Sequence, residues 1–319
     1  MIVPKGPGKE EILEAAERIK PYIHRTPILT SEAINSIAGA QLFFKCENFQ
    51  KAGAFKARGA TNAIFSLSEN ELHQGVATHS SGNHAAALSM AAKNRDIAAY
   101  IVMPINSSKV KIAAVESYGG QITFCEPTLA AREETLARVI KEVHAIEIHP
   151  YDNPRIIAGQ ATAALELIAD GPRLDVIMAP VGGGGLLSGT ALSAYYFSPE
   201  TRVIAGEPLG ANDAYQSFHL KKFIPSLNPS TIADGLRTSL GTITLPIILS
   251  LVSDILLSDE TEIIEAMRLV WERMKIIIEP SSAVPLAALL KNKQLFKGQK
   301  VGIILSGGNV DLSSLPWLT

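Results

Sequence analysis

Short apolar runs of strand length alternate along this chain with longer segments whose apolar positions recur at helical spacing. Several of the runs are apolar throughout, which is typical of strands that are covered on both faces. The pattern predicts strands at Gln41–Lys45, Gly75–His79, Ile97–Met103, Gln121–Cys125, Leu174–Ala179, Arg202–Ala205, Asp254–Leu257 and Lys300–Leu305. It predicts helices at Lys56–Leu67, Asn83–Ala92, Lys109–Tyr118, Leu129–Val143, Pro154–Ala169, Leu186–Tyr196, Glu260–Met274 and Ala283–Lys291.

The alternation of strands and helices with short connections favours an α/β protein with open, mostly parallel twisted sheets flanked by helices. The segment 75–150 contains enough elements to form a small domain by itself. We therefore predict a small domain of residues 75–150 and a large, discontinuous domain of residues 1–74 and 151–319. The cleft between two such domains is a usual place for a ligand.

The composition excludes several classes of function. With 47% hydrophobic and 19% charged residues among 319, the chain can form a sizeable core, and disorder is not expected. A net charge of −2 gives no electrostatic footprint for nucleic acid or for an anionic membrane. The chain has no apolar run of membrane-spanning length, no apolar signal core, and only two cysteines, Cys46 and Cys125. These features predict a cytoplasmic protein without a disulfide framework or a membrane partner.

Lys56 is the first candidate for chemistry. It follows Phe55 directly and lies among small residues in Phe49–Ala60. Small neighbours let a flat ligand approach the backbone, and the aromatic ring offers a face. A lysine whose surroundings disfavour its charge can attack a carbonyl as a free amine, which is what a Schiff base requires. A lysine considered alone is more often solvated, so the other motifs must decide.

The run Gly182–Gly185 follows a predicted strand and precedes a predicted helix. Unobstructed amides at a helix start form an anion site that suits a phosphate. A P-loop is excluded because Gly-Lys-Ser/Thr is absent. A dinucleotide fingerprint fails at its third glycine, although Glu207 lies at the distance where its acid is expected. A nicotinamide-dependent oxidoreductase therefore stays open as a remote alternative.

Other polar loops follow predicted strands. Thr78–His84 is dense in hydrogen-bonding side chains and fits either a ligand-facing loop or a helix cap, and Ser306–Asn309 repeats the pattern at the last strand. Glu207 and Asp213 offer two carboxylates around a turn. They would suit a hard cation, but a solvated loop explains them equally well.

These segments together resemble the fold-type II pyridoxal-phosphate enzymes, specifically the serine racemase and serine/threonine dehydratase family. The resemblance extends over nearly the whole chain and is carried by Phe49–Ala60, Ser80–His84, Tyr151–Pro154, Ile157–Gln160, Gly182–Gly185, Thr231–Gly235 and Ser306–Asn309. It implies a tryptophan synthase β-like fold of two α/β domains, pyridoxal 5′-phosphate as cofactor and a homodimer.

The resemblance also implies roles for individual residues. Lys56 would form the Schiff base, and Ser81 would act on the opposite face of the substrate. The cofactor would be contacted by Phe55, Lys56, Asn83, Gly182, Gly183, Gly184, Gly185, Leu186, Gly235, Glu279 and Ser306. The substrate would be held by Ser80, Ser81, Asn83, His84 and Arg132. A divalent cation (Mg²⁺, or Ca²⁺ or Mn²⁺) would be held by Glu207, the carbonyl of Ala211 and Asp213.

The implied activity is dehydration of L-serine or L-threonine to a 2-oxo acid and ammonia, with serine racemisation as a companion activity. Serine racemisation or 3-hydroxyaspartate dehydration stays open as the main activity. The second alternative depends on Arg132, which matches a residue that contacts dicarboxylates but also fits an ordinary helix surface. A non-catalytic amino-acid-binding module is a third possibility. Because the chain has Ala52 and ends at Thr319, soon after the last motif, neither an ATP site nor a regulatory domain is expected. A hydroxyl at Ser306 would leave the pyridine nitrogen neutral.

Overall fold

The computed structural model describes residues 6–80 and 82–318, whose strands form a six-stranded and a four-stranded sheet. The strands are β1 Ile28–Leu29, β2 Gln41–Cys46, β3 Val76–His79, β4 Ala99–Pro104, β5 Gln121–Cys125, β6 Ile146–Glu147, β7 Val176–Pro180, β8 Arg202–Pro208, β9 Asp254–Ser258 and β10 Lys300–Leu305. The α-helices are α1 Lys9–Ile19, α2 Glu32–Ala38, α3 Lys56–Phe65, α4 Glu69–Leu72, α5 Asn83–Asn94, α6 Lys109–Ser117, α7 Leu129–Val143, α8 Pro154–Asp170, α9 Gly185–Phe197, α10 Asp213–Leu220, α11 Thr244–Leu251, α12 Glu260–Met274 and α13 Pro280–Lys291.

The larger sheet has the strand order β1-β2-β10-β7-β8-β9 and is parallel except for the short β1, which pairs antiparallel with β2. The smaller sheet has the order β5-β4-β3-β6 and is parallel throughout. This arrangement confirms the predicted α/β class with mostly parallel sheets. The positions of the domain boundaries stay a prediction.

The core follows from the two-sided burial of the strands. One apolar cluster of the larger sheet includes residues of α12 and α13, and another on this sheet includes residues of α9 and α11. A third cluster joins the smaller sheet to α3 and α5. Helix α3 crosses α8 at closest range where Gly59 meets Gly159, since a Cβ on Gly159 would lie 2.6 Å from the Gly59 Cα. This contact fixes the helix that begins at Lys56.

All eight predicted strands are present, Gln121–Cys125 and Lys300–Leu305 with the predicted bounds and the other six with shifted ends, and the structure adds the two-residue strands β1 and β6. These were missed because two residues carry no periodicity. The predicted helix at Ala283–Lys291 starts earlier, at Pro280, which suits the first turn of a helix. Within the described residues, no helix has both the length and the apolar character needed to cross a membrane.

Candidate active site

Parallel pairing brings the carboxyl ends of neighbouring strands of the larger sheet to one edge. Leu305 at the end of β10 pairs with Cys46 at the end of β2, and Pro180 at the end of β7 pairs with Gly206 in β8. Ser306 and the glycine run therefore follow strands at this edge, and Glu207 lies near the carboxyl end of β8 at the same edge. The turn before α3 lies against this edge, because the Phe55 amide donates to the Ser306 carbonyl at 2.9 Å.

Lys56 is the first residue of α3, and its side chain is half-buried. Its Nζ donates to the carbonyl of Pro150 at 2.8 Å and lies 5.2 Å from the centre of the Phe55 ring. Burial lowers the pKa of Lys56 to about 8, and the Glu279 carboxyl opposes the shift. Roughly a tenth of this amine is therefore uncharged at pH 7, far more than of an ordinary lysine, and a nucleophilic lysine requires the uncharged form.

The buried run Gly182–Gly185 connects β7 to α9. Within the described residues, the four amides of this run donate no hydrogen bond, and the first amide of α9 to find an acceptor is that of Ser188, bonded to the Gly184 carbonyl. A Cβ on Gly183 would lie 2.4 Å from the Tyr151 ring, and Gly184 has φ +89°. Glycine is thus required here by close packing and backbone conformation, and buried amides of this kind suit an anion.

Asp152 fixes the start of α11 and the residues before it, which lie beside the glycine run. Its Oδ1 accepts from the amides of Ile243 and Thr244 at 2.8 and 3.2 Å, and its Oδ2 accepts from the amide and hydroxyl of Thr242. The Thr244 hydroxyl then donates to the Gly183 carbonyl at 2.9 Å. Asp152 belongs to the motif Tyr151–Pro154 but had no predicted role of its own. The signal was weak because its partners lie some ninety residues away in the chain.

Asn83, Glu279 and Asn309 form a hydrogen-bonded network. The Asn83 amide group donates to both Glu279 oxygens at 2.9 and 3.1 Å, and Asn309 Nδ2 donates to Asn83 Oδ1 at 3.0 Å. The Asn309 backbone amide donates to Glu279 at 3.2 Å. Burial and the neighbouring Asp234 raise the pKa of Glu279 to about 7. Asn309, named only as part of a motif, thus connects two predicted cofactor contacts.

The loop after β3 leads into α5, where Ser80 Oγ accepts from the Gly82 amide at 3.3 Å. Ser81 lies outside the described residues. Burial and the nearby Lys56 hold the pKa of His84 well below its usual value, so the ring is neutral. Its Nε2 faces the carbonyl of Ile148 at 3.3 Å and therefore carries the proton, which leaves Nδ1 as an acceptor. The amides of Asn83 and His84 have no acceptor among the described residues, so a carboxylate here would meet backbone N–H groups.

Arg132 lies on α7 with its Nε 3.4 Å from the carbonyl of Thr128. Its charge acts on two neighbours of the site: burial and then Arg132 lower the pKa of His79, while burial raises the pKa of Tyr151 to about 12 against the effect of Arg132. Tyr151 packs edge-on against His149, whose pKa burial lowers to about 4. The charge of Arg132 therefore acts on His79 and Tyr151, although its side-chain hydrogen bond is to its own helix.

Glu207 and Asp213 are both buried, unlike residues of a solvated loop. Glu207 accepts from the amides of Ala214 and Tyr215 at 2.9 and 2.7 Å and so caps α10. Neither Asp213 oxygen makes a hydrogen bond of normal geometry within the described part of the chain. Burial raises the pKa of Asp213 to about 6, with Ser226 opposing, and burial and Asp213 raise that of Glu207. Two buried carboxyl groups, one of which disfavours the charge of the other, suit a cation, and Ala211 lies between them in the chain, in the short helix Leu209–Ala211.

The remaining predicted contacts adjoin the same edge. Ser306 is buried, with its Oγ 3.1 Å from the Ser282 hydroxyl. Gly235 lies against the glycine run, since a Cβ on Gly182 would lie 3.2 Å from the Gly235 carbonyl. Leu186 is buried in the cluster that includes α9 and α11. In the described residues, no three His, Cys, Asp or Glu side chains group as a metal site, so the predicted cation site depends on two carboxylates and a carbonyl.

Comparison with known proteins gives a consistent result. A family model described as "Pyridoxal-phosphate dependent enzyme" matches residues 19–307. The chain is 52% identical to the beta-hydroxyaspartate dehydratase of Paracoccus denitrificans (strain Pd 1222) over 98% of this chain and 99% of that protein. It is 54% identical to the serine racemase of Dictyostelium discoideum over 96% of each. The crystal structure of T.th. threonine deaminase superposes with a TM-score of 0.92 at 40% identity, covering 97% of this chain and 100% of the other.

Proposed function

The chain belongs to the family of pyridoxal-phosphate-dependent enzymes, and on this basis we propose that it dehydrates small β-hydroxy amino acids to 2-oxo acids and ammonia, with racemisation of serine at the same site. The observation that carries the proposal is the Lys56 amine, whose lowered pKa leaves it able to attack a carbonyl. Family membership leaves the nicotinamide-dependent alternative without support.

The residues present fit the cofactor. Lys56 Nζ supplies the amine for its aldehyde, and the unpaired buried amides of Gly182–Gly185 supply donors for its phosphate. We propose that Phe55, Asn83, Leu186, Gly235, Glu279 and Ser306 contact the ring and its substituents. When bound, pyridoxal phosphate withdraws electrons from the Cα of an amino-acid substrate.

The protein's part is to orient the substrate and to move protons. The amides at the start of α5, with Ser80 and Asn83, would hold the substrate carboxylate. Lys56 Nζ would remove the Cα proton from one face, and its pKa of about 8 suits a base that works near neutrality. Ser81 would return a proton on the other face. Return of that proton racemises the substrate. In dehydration the β-hydroxyl instead takes up a proton and leaves as water, and hydrolysis of the released unsaturated product gives the 2-oxo acid and ammonia.

A second candidate for the main activity is dehydration of 3-hydroxyaspartate. It is supported by the positive charge of Arg132 beside His79 and Tyr151, which would suit a second carboxylate, and by the name of the relative from Paracoccus denitrificans. A substrate panel of L-serine, D-serine, L-threonine and 3-hydroxyaspartate, assayed for both keto acid and stereoisomer, separates the two. Replacement of Arg132 by Met should reduce turnover of 3-hydroxyaspartate much more than that of serine. Equal losses would show that Arg132 is an ordinary residue of the helix surface and does not bind the second carboxylate.

We also propose that Glu207, the Ala211 carbonyl and Asp213 bind Mg²⁺. The support is the buried Asp213 carboxyl without a partner in the described residues. Asp213→Asn should abolish activation by added magnesium, measured as turnover during metal titration of chelator-treated enzyme. Asp311→Asn, which alters an exposed carboxylate bonded to Ser313, is the control and should respond like the wild type. An unchanged response in Asp213→Asn would refute the cation site.

The central experiment is covalent trapping. Purified protein is incubated with pyridoxal phosphate, reduced with borohydride, digested and analysed by mass spectrometry. The expected result is one reduced adduct on Lys56. An adduct on another lysine, or none, would overturn the proposed function.

A further inference from the structure

Ser282 contacts three polar groups at the carboxyl end of β10. It lies in the first turn of α13 and is fully buried. Its Oγ accepts from the Gly307 amide at 2.7 Å and donates to the Gly307 carbonyl at 2.6 Å. The same oxygen lies 3.1 Å from the Ser306 Oγ. One hydroxyl from a helix thus takes the place that a neighbouring strand would have beside this segment.

The hydrogen count of Ser282 determines the role of Ser306. A serine hydroxyl has one hydrogen and two lone pairs. The shorter contact, to the Gly307 carbonyl, takes the hydrogen of Ser282, and the Gly307 amide takes one lone pair. In the 3.1 Å contact, Ser306 must then be the donor. Ser306 consequently offers lone pairs, not its hydrogen, to any group on its other side.

The segment held by Ser282, Ser306–Gly307, also lies next to the turn that precedes Lys56. The Phe55 amide donates to the Ser306 carbonyl, and the Glu279 amide donates to the Gly307 carbonyl at 3.0 Å. There is no space for this segment to shift toward Lys56, because a Cβ on Gly307 would lie 2.9 Å from the Cβ of Ala54. Ser282 therefore holds the strand end between the start of α13 and the turn that precedes Lys56.

We propose that Ser282 is a positioning residue that fixes Ser306 and draws the Ser306 hydrogen away from the cofactor. The inference rests on the proposed function, in which Ser306 faces the pyridine nitrogen. With its hydrogen directed to Ser282, Ser306 accepts a hydrogen bond from a protonated nitrogen better than it donates to a neutral one. The proton affinity of the ring nitrogen is therefore higher than it would be beside a Ser306 hydroxyl that could rotate freely.

The test uses the holoenzyme loaded with ¹⁵N-labelled pyridoxal phosphate, with the nitrogen chemical shift followed against pH. Ser282→Ala should lower the proton affinity of the ring nitrogen about fivefold, as expected for the loss of one competing hydrogen bond. Ser282→Thr, which keeps the hydroxyl, should restore the wild-type titration. Ser258→Ala removes a buried hydroxyl that contacts the Val284 carbonyl of the same helix at 3.5 Å and should titrate as wild type.

A double-mutant cycle tests whether Ser282 acts on the ring nitrogen through Ser306. If Ser282 acts through Ser306, Ser282→Ala should have no further effect on the nitrogen in the S306A background. An equal shift in both backgrounds, or no shift in the wild-type background, would overturn the proposal. Should Ser282→Ala fail to fold, Ser282→Cys replaces it, since the thiol has similar volume but hydrogen-bonds weakly.

A readout without cofactor separates this inference from the proposed function. In cofactor-free protein, hydrogen exchange of the Gly307 amide should be about tenfold faster in Ser282→Ala, because the amide loses its acceptor. Unchanged exchange would refute the anchoring. If the wild type binds no pyridoxal phosphate at all, the proposed function fails, whereas the exchange result still decides whether Ser282 holds this segment.

Discussion

Two basic residues in the first turn of α3 have opposite surroundings. Arg58 is fully buried and forms paired hydrogen bonds with Glu47 at 2.7 and 2.8 Å and with Glu166 at 2.8 Å twice. Lys45 completes this cluster with a 2.6 Å contact to Glu166. Lys56, two residues before Arg58, forms no ion pair within the described residues and donates only to the Pro150 carbonyl.

The difference shows that the presence or absence of a carboxylate partner decides whether a buried basic side chain stays charged or can lose its proton. Burial alone would lower the pKa of Arg58, but Glu47 and Glu166 outweigh it and raise the pKa, so the charge is permanent. For Lys56 burial dominates, and the pKa falls to about 8. The charged cluster fixes α3 against β2 and α8, and the unpaired lysine at its start can exchange its proton.

The largest expected effect is on the lysine side of the comparison. Lys56→Met keeps the chain length but removes the amine, so turnover should fall at least about 10³-fold while thermal unfolding stays cooperative. Steady-state keto-acid production and a melting curve on the same preparation measure both. Retained turnover, together with a visible absorbance band of lysine-bound cofactor, would show that another group supplies the amine.

On the arginine side, the expected effect is on stability. Arg58→Met leaves Glu47 and Glu166 buried without their main partner, and the free energy of unfolding should fall by about 3–5 kcal/mol. Urea unfolding monitored by circular dichroism measures the loss. Arg25→Met is the matched control, since Arg25 binds Asp170 through two hydrogen bonds at the exposed surface and should cost less than about 1 kcal/mol. Similar losses in the two variants would contradict the contrast.

The smallest expected effect is on the pH dependence of stability, and it tests whether Lys56 is uncharged in the folded protein. In cofactor-free protein, native Lys56 loses its proton near pH 8 and the unfolded chain near 10.5, so the unfolded state binds more protons between these values. The stability of the wild type relative to Lys56→Met should therefore rise with pH through this window, by up to about 3 kcal/mol. Urea unfolding of both proteins at pH 7.5 and at about pH 10 measures the change, and a constant difference would mean that Lys56 is solvated.

Local signals predicted much of the fold and several parts of the site. Period and length predicted the eight principal strands, and the glycine run at the start of α9 predicted a buried set of free amides. The surroundings of Glu207 and Asp213 could not be predicted in this way. Alone, the segment fits a solvated loop, and only its packing between β8 and α10 buries both carboxyl groups.

The sequence by itself determined the α/β class, the order of elements and the identity of Lys56 as the residue to examine. The tertiary structure decided which charges are paired and which hydroxyl hydrogens are committed. Glu166 lies 108 residues from Arg58, and Ser282 lies 25 residues from Gly307, so no local pattern records either contact. Proton affinity depends on burial and on the exact placement of such distant partners, and these exist only after the chain has folded.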